Sequence, residues 1–166
     1  MEKGVDFSKA KALEICSSER CEIKEVPENS IFTFPEGILG FEDVHKYAFI
    51  LNEKVAPFMF MQAIDRPNLS FVCIESFRIC PDYNIVLPDT TVRGLEIKDA
   101  NDALVISLVT VRKDVMETTA NLMSPIIMNM KTLKAQQVIL ENSNYPVRYR
   151  VWDSIEKATT DYNVVG

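Results

Sequence analysis

Leu104-Val-Ile-Ser-Leu-Val-Thr-Val111 is the most strand-like segment of this chain. It is rich in β-branched residues, and apolar side chains occupy both of the faces that alternate along an extended backbone. We therefore expect it to form a central strand that is covered on both sides.

Shorter strand-like segments precede and follow it, separated by Pro, Gly, Asn or Asp. They are Leu13–Cys16, Cys21–Val26, Ser30–Phe34, Tyr47–Leu51, Phe58–Ile64, Leu69–Ser76, Asn84–Leu87, Pro125–Met130, Gln136–Leu140 and Val147–Trp152. The turn-forming residues 65–68 predict a hairpin between two of them, and no long amphipathic helix is visible. The pattern predicts an all-β protein: a single antiparallel domain, barrel-like or sandwich-like, over residues 11–155, with short helical turns and tails at 1–10 and 156–166.

The composition favours a protein-binding role over direct nucleic-acid or membrane binding. The 166 residues carry 18 Lys and Arg against 24 Asp and Glu, a formal net charge of −6. Such a charge repels phosphate backbones and favours basic partners. The chain has no apolar run long enough to span a bilayer and no signal peptide at its start, so we expect a cytoplasmic protein.

The four cysteines, Cys16, Cys21, Cys73 and Cys80, match no usual zinc-ligand spacing. A cytosolic chain of this length does not need disulfide bonds, so we expect reduced thiols.

Catalysis is not predicted. His45 is the single histidine, and neither a hydrolase nor a P-loop motif is present. A small hydrolase with a lysine or cysteine site is the third alternative. We expect no cofactor and no metal.

The loop from Pro35 to Asp43 is the first candidate surface. Acidic residues surround apolar Ile38 and Phe41, which is typical of an apolar anchor within a charged rim. The alternative is that both apolar side chains cap the end of the barrel.

A second surface would bind RNA. In an extended strand, Arg148, Arg150 and Trp152 would share one face, and cations beside an aromatic ring are typical of single-strand binding. An RNA-binding β-barrel is therefore the alternative function, although an edge strand with exposed arginines also resists aggregation.

Several motifs resemble the FliW family of flagellar assembly factors. Ile31-Phe-Thr-Phe-Pro-Glu-Gly-Ile-Leu-Gly-Phe-Glu42 is similar to that family's strand followed by F-P-x-G-I-x-G-F-E. Pro57-Phe-Met-Phe-Met-Gln62, Pro81-Asp-Tyr83 and Thr119-Ala-Asn-Leu-Met-Ser-Pro-Ile-Ile-Met-Asn129 resemble further family motifs in the same order.

The resemblance implies a regulator that switches partners. Members of the family bind flagellin in the cytoplasm and also the RNA-binding translational repressor CsrA, whose block on flagellin synthesis they relieve. We accordingly expect a flagellar assembly factor that is a monomer when free. The predicted partner-binding residues are Glu36, Ile38, Phe41, Glu42, Asp43, Asp82, Tyr83, Asn121 and Asn129.

Overall fold

A computed structural model describes residues 9–154. Its strands are β1 Ala10–Cys16, β2 Cys21–Pro27, β3 Ile31–Thr33, β4 Lys46–Leu51, β5 Met59–Ala63, β6 Ser70–Glu75, β7 Ala103–Thr110, β8 Thr119–Ala120, β9 Ile126–Asn129, β10 Lys134–Gln137 and β11 Tyr149–Arg150. Two short helices, α1 Ser76–Ile79 and α2 Asp89–Gly94, lie between β6 and β7, and a helical turn occupies residues 151–154. Within this range, none of the helices has the length and apolar character that crossing a bilayer requires.

Seven strands close into a barrel in the order β3-β4-β5-β6-β7-β9-β10. Neighbours are antiparallel except β10 and β3, which run parallel where Lys134 meets Thr33. One edge of β7 pairs first with β9 and then with β8, and β11 extends β8. The predicted all-β, barrel-like class and the central position of the 104–111 segment are confirmed.

The barrel interior is filled by one face of each strand. Phe34 and Tyr47 meet edge to face at 5.1 Å between ring centroids, and Met61 and Ile106 are fully buried beside them. Each such apolar side chain stabilises the fold by about 1.5–3 kcal/mol. Side chains two residues apart along β4 to β7 share this inward face.

Two layers cover the outside of the barrel. The β1–β2 hairpin buries Leu13 and Val26 against Ala48 and Ile50 of β4. Residues 76–97 and 138–151 cover the outer faces of β6, β7 and β9, where a second apolar cluster forms. Central strands are therefore apolar on both faces.

Two predicted strands are wrong. Asn84–Leu87 pairs with no strand within residues 9–154, so it forms part of no sheet. Val147–Trp152 is reduced to the two residues of β11, because the chain turns into a helix at Val151 and packs Trp152 against Phe58, at 5.9 Å between centroids. The hairpin across residues 65–68 is confirmed by the pairing of Met61 with Phe71.

The prediction of four reduced cysteines is also wrong. Cys16 and Cys21 are the last facing pair of the β1–β2 hairpin, and a disulfide joins them across a Cα–Cα distance of 4.0 Å. The spacing that fits no metal site fits a cross-strand pair beside a tight turn. Cys73 and Cys80 are free thiols.

Most of the predicted tails lies outside the described residues. Within them, β1 begins at Ala10, so the first strand starts before the predicted end of the N-terminal tail.

Candidate partner-binding site

The loop between β3 and β4 closes one end of the barrel and requires glycine at position 37. Gly37 has a positive φ of 65°, and a Cβ there would lie 2.6 Å from the carbonyl oxygen of Phe41. Hydrogen bonds from Gly37 N–H to Phe34 O and from Phe41 N–H to Ile38 O tighten the turn. The loop is therefore a rigid feature of the fold.

The apolar residues of this loop face opposite ways. Ile38 is 2% exposed within the barrel cluster, and Phe41 packs edge to face on Phe71. Both cap the barrel, as the alternative interpretation held. Leu39 is 69% exposed, and its N–H donates to Gln137 Oε1 at 2.8 Å, so it is the apolar side chain of the loop that points to solvent.

The three acidic residues of the loop have different local roles. Glu36 is exposed and forms no ion pair with residues 9–154. Glu42 Oε1 accepts from Gly40 N–H at 2.9 Å, and this bond, with that from its own N–H, lowers the pKa of the carboxyl. Asp43 pairs with Arg66 from the β5–β6 turn. Glu36 is thus the one acid of the loop with neither an ion pair nor a hydrogen bond to its carboxylate among residues 9–154.

Asp82 and Tyr83 lie in the outer layer. Asp82 is exposed, whereas Tyr83 is buried and donates its hydroxyl to Leu122 O. Its ring meets that of Tyr145 edge to face, at 4.6 Å between centroids. Burial raises the pKa of the Tyr83 hydroxyl, so it stays a donor. Tyr83 holds residues 76–97 against the barrel.

The two asparagines complete turns of their own chain. Asn121 Oδ1 accepts from the N–H groups of Met123 and Ser124 at 3.1 and 3.0 Å. Asn129 is 2% exposed and donates to Leu95 O at 2.8 Å. Its amide therefore joins the end of α2 to the β9–β10 turn, and its side chain is buried away from any partner.

The predicted residues do not form one surface. Glu36, Ile38, Phe41, Glu42 and Asp43 meet at one barrel end, and Asn129 lies at the other, because β9 runs away from the loop. Tyr83 donates its hydroxyl to the carbonyl oxygen of Leu122, the residue that follows Asn121, so Tyr83 and Asn121 lie in the same region. Sequence reasoning missed the exposure of Leu39 and the contacts of Gln137 and Arg66, which only the folded chain brings to the loop.

A family model described as "FliW protein" matches residues 15–151. The chain belongs to the FliW family. It is 38% identical to the flagellar assembly factor FliW of Ruminiclostridium cellulolyticum over 133 residues, 80% of this chain and 90% of that protein. The flagellar assembly factor FliW of Treponema pallidum is 36% identical over 126 residues, 76% of this chain and 83% of that protein.

A solved structure agrees with the fold. The crystal structure of a flagellar assembly factor FliW superposes with a TM-score of 0.75 at 34% identity, covering 83% of this chain and 96% of that one. These FliW relatives are named for flagellar assembly, and that name describes no catalysed reaction.

The alternative RNA surface of this FliW-family chain is not assembled. Arg150 pairs with Asp153 at 3.4 Å in the helical turn, and Trp152 packs on Phe58. Because the strand ends at Arg150, the alternation that would align Arg148, Arg150 and Trp152 is absent.

Two other reactive groups have structural roles in this FliW fold. His45 Nδ1 lies 3.0 Å from Phe34 O and ties the start of β4 to the end of β3. Glu14 lies beside the sulfurs of Cys16 and Cys21, but the two sulfurs are bonded to each other, which leaves no thiolate there to bind a metal.

Proposed function

We propose that this protein binds newly made flagellin in the cytoplasm and, in competition with flagellin, a CsrA-type translational repressor. Export of flagellin frees the protein, which then sequesters the repressor and allows flagellin synthesis to resume. It acts by binding alone and is a monomer when free.

The observation that carries this proposal is the rigid barrel-end loop with Leu39 exposed among Glu36, Glu42 and Asp43. An apolar side chain that is held in place loses little entropy on binding, and the acids around it attract a basic partner. A repressor that grips RNA must itself be basic, and the net charge of −6 on this chain speeds their encounter.

The test is a calorimetric titration with purified flagellin and purified repressor, followed by competition between them. Glu36→Lys reverses a free rim charge and is expected to weaken repressor binding about 3- to 10-fold, since a rim charge contributes on the order of 1 kcal/mol. Leu39→Ala removes the exposed anchor and should weaken binding further, by about 10-fold or more.

Glu53→Lys is the matched control. It makes the same charge change as Glu36→Lys, but in the exposed turn that follows β4, at the opposite end of the barrel. It should leave affinity within about twofold. Reversing Glu42 is less informative, since its carboxylate holds the loop. Failure of the wild-type protein to bind either partner at micromolar concentration contradicts the proposed function, and equal losses from Glu36→Lys and Glu53→Lys contradict the assigned surface.

A further inference from the structure

Residues 84–87 form a strand-like segment without a partner strand. Exposure alternates along them: Asn84 and Val86 are exposed, at 86% for Val86, whereas Ile85 and Leu87 are partly buried in the outer apolar cluster. A period of two is the mark of an extended chain. Among residues 9–154, no group hydrogen-bonds to the main chain of 85–87.

One edge of this segment faces a groove. The N–H of Asn84 donates to the hydroxyl of Tyr145 at 2.8 Å, and the same hydroxyl donates back to Asn84 O at 3.2 Å. Main-chain groups two residues apart point to the same edge of an extended chain. The N–H and C=O of Val86 therefore face the Tyr145 side and remain available.

The groove has a volume of about 800 Å³ and lies between residues 84–88 and residues 138–145. Its lining is mostly apolar, and Glu141 is the one charged residue among the lining residues. Asp82 and Asp89 flank the strand-like segment in sequence. The groove is thus mostly apolar with one acidic residue, Glu141, and the N–H and C=O of Val86 are unpaired within residues 9–154 along one side.

We propose that this groove docks an extended segment of a basic partner protein, which pairs with the N–H and C=O of Val86 and directs a basic side chain toward Glu141. Main-chain hydrogen bonds to an open edge supply affinity, and pockets for alternate side chains supply specificity. A second copy of this chain is disfavoured, because edge-to-edge pairing of two 84–87 segments would bring together their flanking Asp82 and Asp89 carboxylates.

The groove adjoins the barrel-end loop. Gln137 holds the N–H of Leu39 and immediately precedes Val138, the first residue of the second wall. A partner bound at Leu39 can thus continue into the groove. The inference rests on the proposed function only in that the occupant is a protein.

The probe is a capped six-residue peptide of alternating Lys and Val, and a peptide of alternating Glu and Val is its counterpart. Binding of each is measured by the amide chemical shifts of the protein and by the anisotropy of the peptide. The Lys peptide should shift the amides of 84–87 and 138–141 and slow hydrogen exchange at Val86 at least 10-fold. Val86→Pro removes the available N–H from an exposed position and should weaken the peptide at least 10-fold, while Val86→Thr keeps the N–H and should bind as wild type. Glu141→Lys should reverse the preference between the two peptides.

Three results would overturn the groove assignment. They are chemical-shift changes confined to other surfaces, unchanged peptide binding by Val86→Pro, and equal binding of the two peptides by the wild-type protein. Circular dichroism of Val86→Pro verifies its fold, and the Glu141→Lys reversal tests the site without altering the main chain. Flagellin and repressor titrations on the same variants separate the outcomes. If flagellin and the repressor still bind but the peptide does not bind as expected, the groove proposal is refuted and the proposed function is not.

Discussion

Replacing Asn129 with alanine is expected to destabilise the fold without touching a binding surface. Its amide donates to Leu95 O at 2.8 Å and Glu96 O at 3.2 Å, and its oxygen accepts from Lys131 N–H at 2.9 Å and Thr132 N–H at 3.3 Å. The two shorter bonds contribute about 1 kcal/mol each and the longer ones less. After the substitution Leu95 O keeps only the longer bond from the Thr132 hydroxyl, at 3.3 Å. The free energy of unfolding should fall by about 2–4 kcal/mol.

The loss has a specific location. Glu96 adopts a positive φ of 56° just after α2, and Leu133 adopts 57° at the end of the β9–β10 turn, so Asn129 joins two turns that are strained for residues with a side chain. Urea unfolding followed by circular dichroism gives the free energy, and the melting temperature should drop by roughly 2–4 °C per kcal/mol lost.

Asn121→Ala is the matched control, since that side chain accepts two N–H groups in a half-buried turn and should cost only about 1 kcal/mol. Flagellin and repressor affinities per folded molecule should be unchanged in Asn129→Ala. An unfolding free energy within 0.5 kcal/mol of wild type, on the order of a neutral surface change, would refute the reasoning.

Three further outcomes are expected. Gly37→Ala combines a positive φ with a backbone clash and should lower the free energy of unfolding in urea by at least about 2 kcal/mol. Gly40→Ala, with φ 86° and open space around the new Cβ, should lower it by about 1 kcal/mol. Tyr83→Phe leaves Leu122 O without its donor and should cost about 1–3 kcal/mol in the same assay; a neutral effect would show that the hydroxyl is dispensable. Burial raises the pKa of the Cys73 thiol to about 12. Iodoacetamide labelling followed by mass spectrometry should therefore leave Cys73 unmodified at pH 8 until denaturant is added, and the thiolate fraction should grow as the pH rises toward 12. Rapid labelling of Cys73 in the native protein at pH 8 would contradict the assignment.

The sequence predicts best what neighbouring residues determine. The hairpin around Pro67 and the capped loop at Gly37 follow from local turn chemistry, and the apolar residues on both faces of 104–111 identify a strand covered on both sides. The closed ring, by contrast, depends on β7 pairing with β9 and on β3 meeting β10, which no local pattern contains.

The misjudged elements share the same cause. Val147–Trp152 has the alternation of a strand, but the packing of Trp152 on Phe58 favours a helical turn. The Cys16–Cys21 bond depends on hairpin register. For the candidate site, the acidic loop was predictable, but which of its apolar residues points outward depends on Gln137 and on the barrel end that Ile38 and Phe41 fill.

The parallel contact between Thr33 and Lys134 has a consequence for synthesis on the ribosome. The strand that completes the ring is encoded far downstream of the strand it meets, so the emerging chain first presents an open sheet whose outer strands lack neighbours. Such edges invite association with other nascent chains until Lys134 has left the exit tunnel. Ring completion is therefore a late event, and a pause in translation before that codon should prolong the vulnerable stage.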